Sequence, residues 1–402
     1  MKNLLGDSLP HSELRGHVEP RLRDDGGLKR RELLKASMVI GAGVVGQMMA
    51  PSAASAQAPP QQNIAPAKSG KGQLTEQQVL DNARERLYPT CRVCPVCDGV
   101  ACAGDGGGMA GAGTGVSFQN NFTALQRVKF MMRNVHEHEV SKVDTSTTIF
   151  GHKISFPAVS APMGPNGSTF GKGMPVADWF NSLIGGCNAA GTLGSVGDDP
   201  RYEDAGVRSN LLIIKAHKGQ ALYNSKPAPN PIILKYLPLI EEVSPAWLSI
   251  DVDSGPKSVG ELRELVRAFH IPIVVKGIMK VDDAMRCVDA GVAGIAVSNH
   301  GGRRLDHAAG IADVLSAVAA KLKGQVPILT DGCVATGADV LKYLALGADV
   351  VMVGRHLLRA AHGSGPEGVA LFMNKMRSEF ESAMLLTGVL SVPKINNSIL
   401  YA

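Results

Sequence analysis

Aromatic residues are scarce in this sequence: tryptophan, tyrosine and phenylalanine make up 4% of its 402 residues. That scarcity argues against a base-stacking platform for single-stranded nucleic acid. Charge of one sign is not concentrated either. The formal net charge is +5 and no strong basic block carries it, so nucleic acid is not expected as the main partner. The apolar run "ASMVIGAGVVGQMMAP" is about fifteen residues long and rich in glycine, short for a membrane span. A dinucleotide-binding turn is missing too. "GAGVVG" (Gly41–Gly46) satisfies G-x-G-x-x-G by letter, but it follows no strand and sits inside that apolar run.

The chain is long enough for one large domain with extensions, and 45% hydrophobic with 19% charged residues suits an ordinary globular core. Residues 1–56 read as a twin-arginine export signal. Lys29-Arg30-Arg31-Glu32-Leu33-Leu34-Lys35 precedes the apolar run, and "SAASAQA" offers small residues at Ala54 and Ala56 for cleavage. That reading implies a periplasmic or otherwise extracytoplasmic protein; a membrane anchor or a disordered tail competes with it. Residues 57–73, rich in Pro, Gln and Ala, read as a linker.

Residues 74–149 form an N-terminal segment. "LTEQQVLDNARERLY" and "SFQNNFTALQRVKFMMR" have helical character, and between them lies a stretch too rich in Cys and Gly for regular structure. Four of the seven cysteines fall there, as Cys91, Cys94, Cys97 and Cys102. Their C-x2-C-x2-C-x4-C spacing fits three chemistries: an iron–sulfur cluster, a zinc site, or disulfides in an oxidising compartment.

From residue 150 to 402 the pattern becomes regular. Short apolar runs alternate with amphipathic helices. The expected strands are "FPAVSAP", "GTLGSVG", "LLIIKAH", "AWLSIDVD", "PIVVKGI", "GIAVSNH", "PILTDG" and "DVVMVGR". Eight β/α units in roughly 200 residues predict a closed (β/α)8 TIM barrel, with a doubly wound sheet as the competing architecture.

In a barrel the chemistry gathers where strands end. Those ends supply Pro162-Met163-Gly164, Ser195, Lys215-Ala216-His217, Asp251, Lys276, His300-Gly301-Gly302-Arg303, Asp331-Gly332 and Gly354-Arg355. Titratable groups recur at one rim, which marks a site better than any member alone. His300 can act as a general base, Gly301 and Gly302 leave room for a flat group beside the backbone, and Arg303 can grip a carboxylate at two points. A structural histidine satisfied by backbone is the bland alternative. Asp251 can support the imidazolium, with Asp253 as the competing candidate. Lys276 closes a buried strand and needs an anionic partner. The last two units expose Gly332 and Gly354 near helix starts with Arg355 alongside, the pattern of a phosphate site.

At these residues the chain resembles the FMN-dependent α-hydroxy acid oxidases and dehydrogenases, such as glycolate oxidase and lactate dehydrogenase. "SNHGGRRLD" is similar to that family's active-site signature, "VSKVDTSTTIFGHKISFPAVSAP" to its approach to the barrel, and "YLALGADVVMVGR" to its phosphate segment. The resemblance implies FMN as cofactor and a 2-hydroxy acid oxidised to its keto form. His300 would take the proton, Arg303 would hold the carboxylate, Asp251 would support His300 and Lys276 would face the flavin N1 and O2 edge. Pro162, Met163, Gly164, Ser195, Lys215, Ser249, Ser298, Gly301, Asp331, Gly332, Cys333, Gly354 and Arg355 would complete the cofactor shell. The resemblance also implies a homo-oligomer, tetrameric or larger. An isomerase, other flavin chemistry or a non-catalytic flavin relay are alternative functions, and the electron acceptor is left open.

The sequence also departs from the family. The Cys-rich stretch lies where a substrate-contacting tyrosine belongs. Lys215-Ala216-His217 stands for Gln-x-Tyr on the third strand. No arginine follows the fourth strand in "DVDSGPKS", and Cys333 and Ala335 replace a glycine and an arginine of the phosphate segment.

Overall fold

The computed structural model describes residues 74–105, 109–136, 142–198 and 203–401. The export-signal and linker readings lie outside the described residues. Ser69–Ala402 forms one compact unit.

Eight strands make the sheet: β3 (Ala158–Ser160), β4 (Gly194–Gly197), β5 (Ala221–Ser225), β6 (Leu248–Asp251), β7 (Ile273–Ile278), β8 (Gly294–Val297), β9 (Ile328–Thr330) and β10 (Val350–Val353). They follow a short antiparallel hairpin of β1 (Thr147–Ile149) and β2 (His152–Ile154). Sheet order is β3-β10-β9-β8-β7-β6-β5-β4, and the neighbouring strands are parallel. The Ser160 N–H donates to the Leu193 carbonyl at 3.0 Å, drawing the two edges together. Helices alternate with the strands, as the expected TIM barrel requires.

Alternation along each strand divides the core in two. Outward residues such as Val196, Ile250, Val275 and Ile295 pack under the helices. Inward residues Val159, Leu222, Trp247, Val274, Ala296, Leu329 and Met352 fill the barrel. The β1–β2 hairpin plugs the N-terminal end. Phe150 at its turn meets Trp247 at 5.5 Å between ring centroids. A Cβ on Gly294 would sit 2.9 Å from the tip of Phe150, so the plug needs that glycine. One layer higher the inward residues turn polar: Ser195, Asn224, Ser249, Asp251, Lys276 and Ser298 are all buried. The barrel is therefore greasy and closed below, polar above.

Seven of the eight expected strands are strands. The third is not. "LLIIKAH" belongs to the helix Asp204–Ala216, and the strand is the next segment, "ALYNS". Val207, Asn210, Leu211 and Ile214 are buried while Leu212 is 51% exposed. That is one stripe at helical period, which a run of four apolar residues conceals. Lys215 consequently points to solvent and pairs with Glu242 at 2.5 Å. It takes no part in the rim. The rim residues of the third strand are Asn224-Ser225-Lys226, and the comparison with Gln-x-Tyr belongs there.

The Cys/Gly stretch has no helix or strand among its described residues 88–115. It lies between the helices Glu76–Leu87 and Val116–Arg127. The second helix ends at Arg127, short of the expected Arg133.

Candidate active site

A cavity of about 460 Å3 opens at the C-terminal end of the barrel. That volume is in the usual range for a small-molecule or cofactor site. Pro162, Met163, Gly164, Lys276, His300, Gly301, Arg303, Asp331, Gly332, Cys333, Gly354 and Arg355 all line it. Ser195, Ser249, Asp251 and Ser298 lie buried around and beneath these residues rather than in the lining. Lys226, Arg304, Phe118, Met109 and Cys97 line it too, and sequence reasoning had not assigned them to the cofactor or substrate site.

The strand ends hold a compact set of charges. Asp251, fully buried, receives Lys226 Nζ at 3.0 Å and Lys276 Nζ at 3.2 Å on its two oxygens. Asn224 donates to it as well, at 3.2 Å. Asp253 lies two residues on. Its Oδ2 is 2.7 Å from His300 Nδ1, and its Oδ1 accepts from Arg304 Nε at 3.0 Å. Asp253, not Asp251, is therefore the carboxylate partner of His300; Asp251 balances the two lysines. The reason is a bulge in β7. Its register shifts between Lys276 and Ile278, and Gly277 between them has φ +109°. A Cβ there would sit 2.8 Å from Asp253 Cβ. Only a glycine lets the chain after β6 lean across β7 and bring Asp253 to the histidine.

His300 itself stands at φ 59°, followed by Gly301 at 65° and Gly302 at 79°. Three successive left-handed residues turn the chain back at the end of β8 and hold the ring over the mouth. A left-handed histidine is strained, and such strain clusters at functional sites. The glycines serve a purpose other than the expected one. A Cβ on Gly302 would meet the Phe118 nitrogen at 2.4 Å, and one on Gly301 would meet Arg355 Nη1 at 2.7 Å. They admit the N-terminal segment and Arg355, not only a flat ligand.

Burial, followed by the charge of Lys276, pushes the His300 imidazole down to about 3, with the Asp253 hydrogen bond opposing. The ring is neutral at neutral pH. Burial would raise Asp253, but the hydrogen bond from His300 and the Lys276 charge outweigh it and hold it at about 2. Asp251 lies well below the usual carboxylate range: Lys276 and Lys226 overcome its desolvation. Burial works against the Lys276 ammonium, but Asp251, Asp331 and Asp253 raise it well above a free lysine. Asp251, Asp253 and His300 have donor atoms within 4.8 Å of one another. The two lysines and Arg304 already balance that charge, so the trio reads as an ion-pair network.

The opposite wall comes from the last two units. Ser298 Oγ donates to Asp331 Oδ2 at 2.7 Å, while the buried Asp331 Oδ1 has no partner. Gly354 precedes the helical run Arg355–Thr387, which kinks at Ser364 and Gly365, and no side chain caps its start. The Arg355 guanidinium stacks 3.7 Å from the Phe118 ring centroid and donates to the Gly301 and Met109 carbonyls at 2.8 and 2.9 Å. An uncapped helix start beside a guanidinium suits a phosphate.

A (β/α)8 barrel with a phosphate-type corner, a buried lysine and a histidine–aspartate pair around one cavity has the makings of a cofactor-dependent barrel enzyme. The comparisons narrow this class. The FMN-dependent dehydrogenase family matches residues 109–178 and 237–402. A peroxisomal (S)-2-hydroxyacid oxidase of Arabidopsis thaliana is 31% identical over 324 residues, 70% of this chain and 87% of that protein. An L-lactate oxidase of Lysinibacillus sphaericus is 30% identical, over 70% of this chain and 84% of its own. A mandelate oxidase variant solved with the monooxide FMN adduct superposes with TM-score 0.64 at 27% identity, covering 75% of this chain and 98% of that one. The chain belongs to the FMN-dependent dehydrogenase family.

FMN fits the residues present. The helix start at Gly354 and the Arg355 charge meet the needs of its phosphate. Lys276 offers a buried cation, which favours the extra negative charge of a reduced flavin ring, and the partnerless Asp331 Oδ1 borders the same cavity. The family match skips residues 179–236, which contain the revised third strand, and it starts after the four clustered cysteines.

Proposed function

We propose that this chain oxidises a small 2-hydroxy acid to the corresponding 2-keto acid. The observation that carries the reading is the 2.7 Å contact between His300 Nδ1 and Asp253 at the wall of the cavity that Arg303 also lines. FMN, when bound, accepts the two electrons and the hydrogen leaving the substrate carbon. The protein's own residues do the rest. Asp253 accepts from His300 Nδ1, which leaves Nε2 as the basic atom for the substrate proton. As the ring charges, the adjoining carboxylate stabilises it. Arg303, exposed at the mouth, holds the substrate carboxylate in two-point fashion. Lys276 stabilises negative charge on the cofactor side. The names of the relatives, 2-hydroxyacid and L-lactate oxidases, support the substrate class.

Anaerobic mixing of the holoprotein with a panel of 2-hydroxy acids tests this. Bleaching of the flavin absorbance is the expected result. A retained, correctly loaded flavin that no member bleaches would overturn the proposal and favour an isomerase or a passive relay.

Two finer readings accompany it. The twin-arginine stretch around Arg30 and Arg31 supports an extracytoplasmic location; cell fractionation with and without Arg30→Lys and Arg31→Lys reads it. The family resemblance supports a homo-oligomer of four or more chains, which light scattering measures.

A further inference from the structure

We propose that Cys91, Cys94, Cys97 and Cys102 hold a four-thiolate iron–sulfur cluster in the wall of the cofactor cavity. All four come from one loop segment, spaced C-x2-C-x2-C-x4-C. The C-x2-C-x2-C core is that of bacterial [4Fe–4S] proteins, with one residue more before the fourth thiol. The segment lies outside the residues that the family model matches.

Arg359 supplies independent support. It projects from the helix Arg355–Thr387 and is only 5% exposed. Its Nη2 donates to Cys97 Sγ at 3.2 Å and its Nη1 to the Cys94 carbonyl at 3.4 Å, while its Nε has no partner. Among the described residues no carboxylate pairs with it. A guanidinium does not lose its proton in a protein, and a buried one without an anion is costly. Four thiolates around a cluster provide that anion, and N–H groups directed at cluster sulfur stabilise it. The environment of Cys97 and Cys102 also includes the Arg355 charge, so the wall is electropositive on this side.

The placement of the thiols favours a cluster over its competitors. All four cysteines are free thiols in this structure. A single zinc ion draws four sulfurs to roughly 3.8 Å from one another, given a Zn–S bond of about 2.3 Å. Among the described residues no three of these thiols converge within 4.8 Å; the group that does is Asp251, Asp253 and His300. A cube gives each thiolate its own iron and so holds the sulfurs further apart. Cys97 lines the cavity itself, which places the cluster beside the flavin site.

The test is metal and sulfide analysis of the full chain, expressed with ample iron and purified without oxygen. Iron and acid-labile sulfide are expected in equal amounts, about four of each per chain. Dithionite reduction should give a paramagnetic signal distinct from flavin radical. Cys94→Ser and Cys102→Ser should each lose most of the iron while FMN is retained, which shows that the barrel has folded. Cys333→Ser, a thiol of the same cavity wall, should keep its iron. Zinc without sulfide, disulfide-linked peptides by mass spectrometry, or wild-type protein loaded with FMN but free of metal would each overturn the proposal.

Discussion

Two buried cations adjoin the cavity in opposite settings. Lys276 stands among carboxylates, 3.2 Å from Asp251 and 3.7 Å from Asp253. Arg359 stands among sulfur and a backbone carbonyl. The first setting is complete within the barrel, because strand ends from β6 and β7 bring both signs of charge together. The second pairs a helix of the barrel with a loop that precedes it. It teaches that this barrel balances its own charges where strands meet, and leaves a different chemistry where the N-terminal segment is laid on.

Several substitutions can break that contrast. The largest effect is expected from His300→Ala. Flavin reduction by a 2-hydroxy acid should slow by about 10³-fold, with FMN content unchanged, since a positioned base contributes on that order; stopped-flow absorbance reads it. Next is the pair of cations themselves. Lys276→Met leaves Asp251 with Lys226 as its one cation and Asp253 with Arg304, and should destabilise the fold by about 3 kcal/mol. Arg359→Leu strands no carboxylate and should cost less than about 2 kcal/mol. Equal losses in thermal denaturation would erase the contrast.

Asp253→Asn follows. It removes the carboxylate that steadies the charged ring, so reduction should slow by about 10²-fold. The same change at Asp251 should act on folding and cofactor retention instead. If Asp251→Asn gave the purely catalytic defect, the pairing seen here would be wrong.

The pH dependence is a milder probe. With His300 held at about 3, the base is available throughout the neutral range. Reduction should be flat from pH 8 to about 5 and fall only in strong acid. Stability runs the same way. The unfolded histidine protonates below about 6.5 while the folded one resists, and Asp253, depressed to about 2, gives stability above about pH 4 that fades below it. Chemical denaturation at pH 7, 5 and 4 should show a steady decline. An acid limb of the rate near pH 6.5 would mean that the ring is not buried as described. The smallest effect is Lys215→Ala, on the outer helix surface: stability should change by less than about 1 kcal/mol, with flavin content untouched.

Most of the barrel and half of the site could be read directly. Buried strands ending in Asp251, Lys276 and His300 announce themselves, because an apolar run that stops at a charge has few other meanings. The third strand was concealed: Leu211–Ile214 fits a buried strand and a helix stripe equally, and only Gly219, where the chain turns, separates them. Lys226, at the end of the true third strand, is concealed with it. The choice of Asp253 over Asp251 depends on the bulge at Gly277, a backbone detail with no signature beyond one glycine. Arg359 lies just over one turn into its helix, hundreds of residues along the chain from the cysteines it meets, and such contacts exist only once the chain has folded.

The hairpin stopper at Phe150 and Trp247 has a kinetic consequence. A barrel stoppered at one end is entered, among the described residues, through a doorway at the other. If the oxidant that regenerates the cofactor uses that doorway, the keto acid must leave first, and steady-state plots at several oxidant concentrations run parallel. If electrons leave instead through the cysteine wall, both partners can be engaged at once and the lines intersect. The order of traffic through the enzyme thus reports which wall of the cavity is conducting.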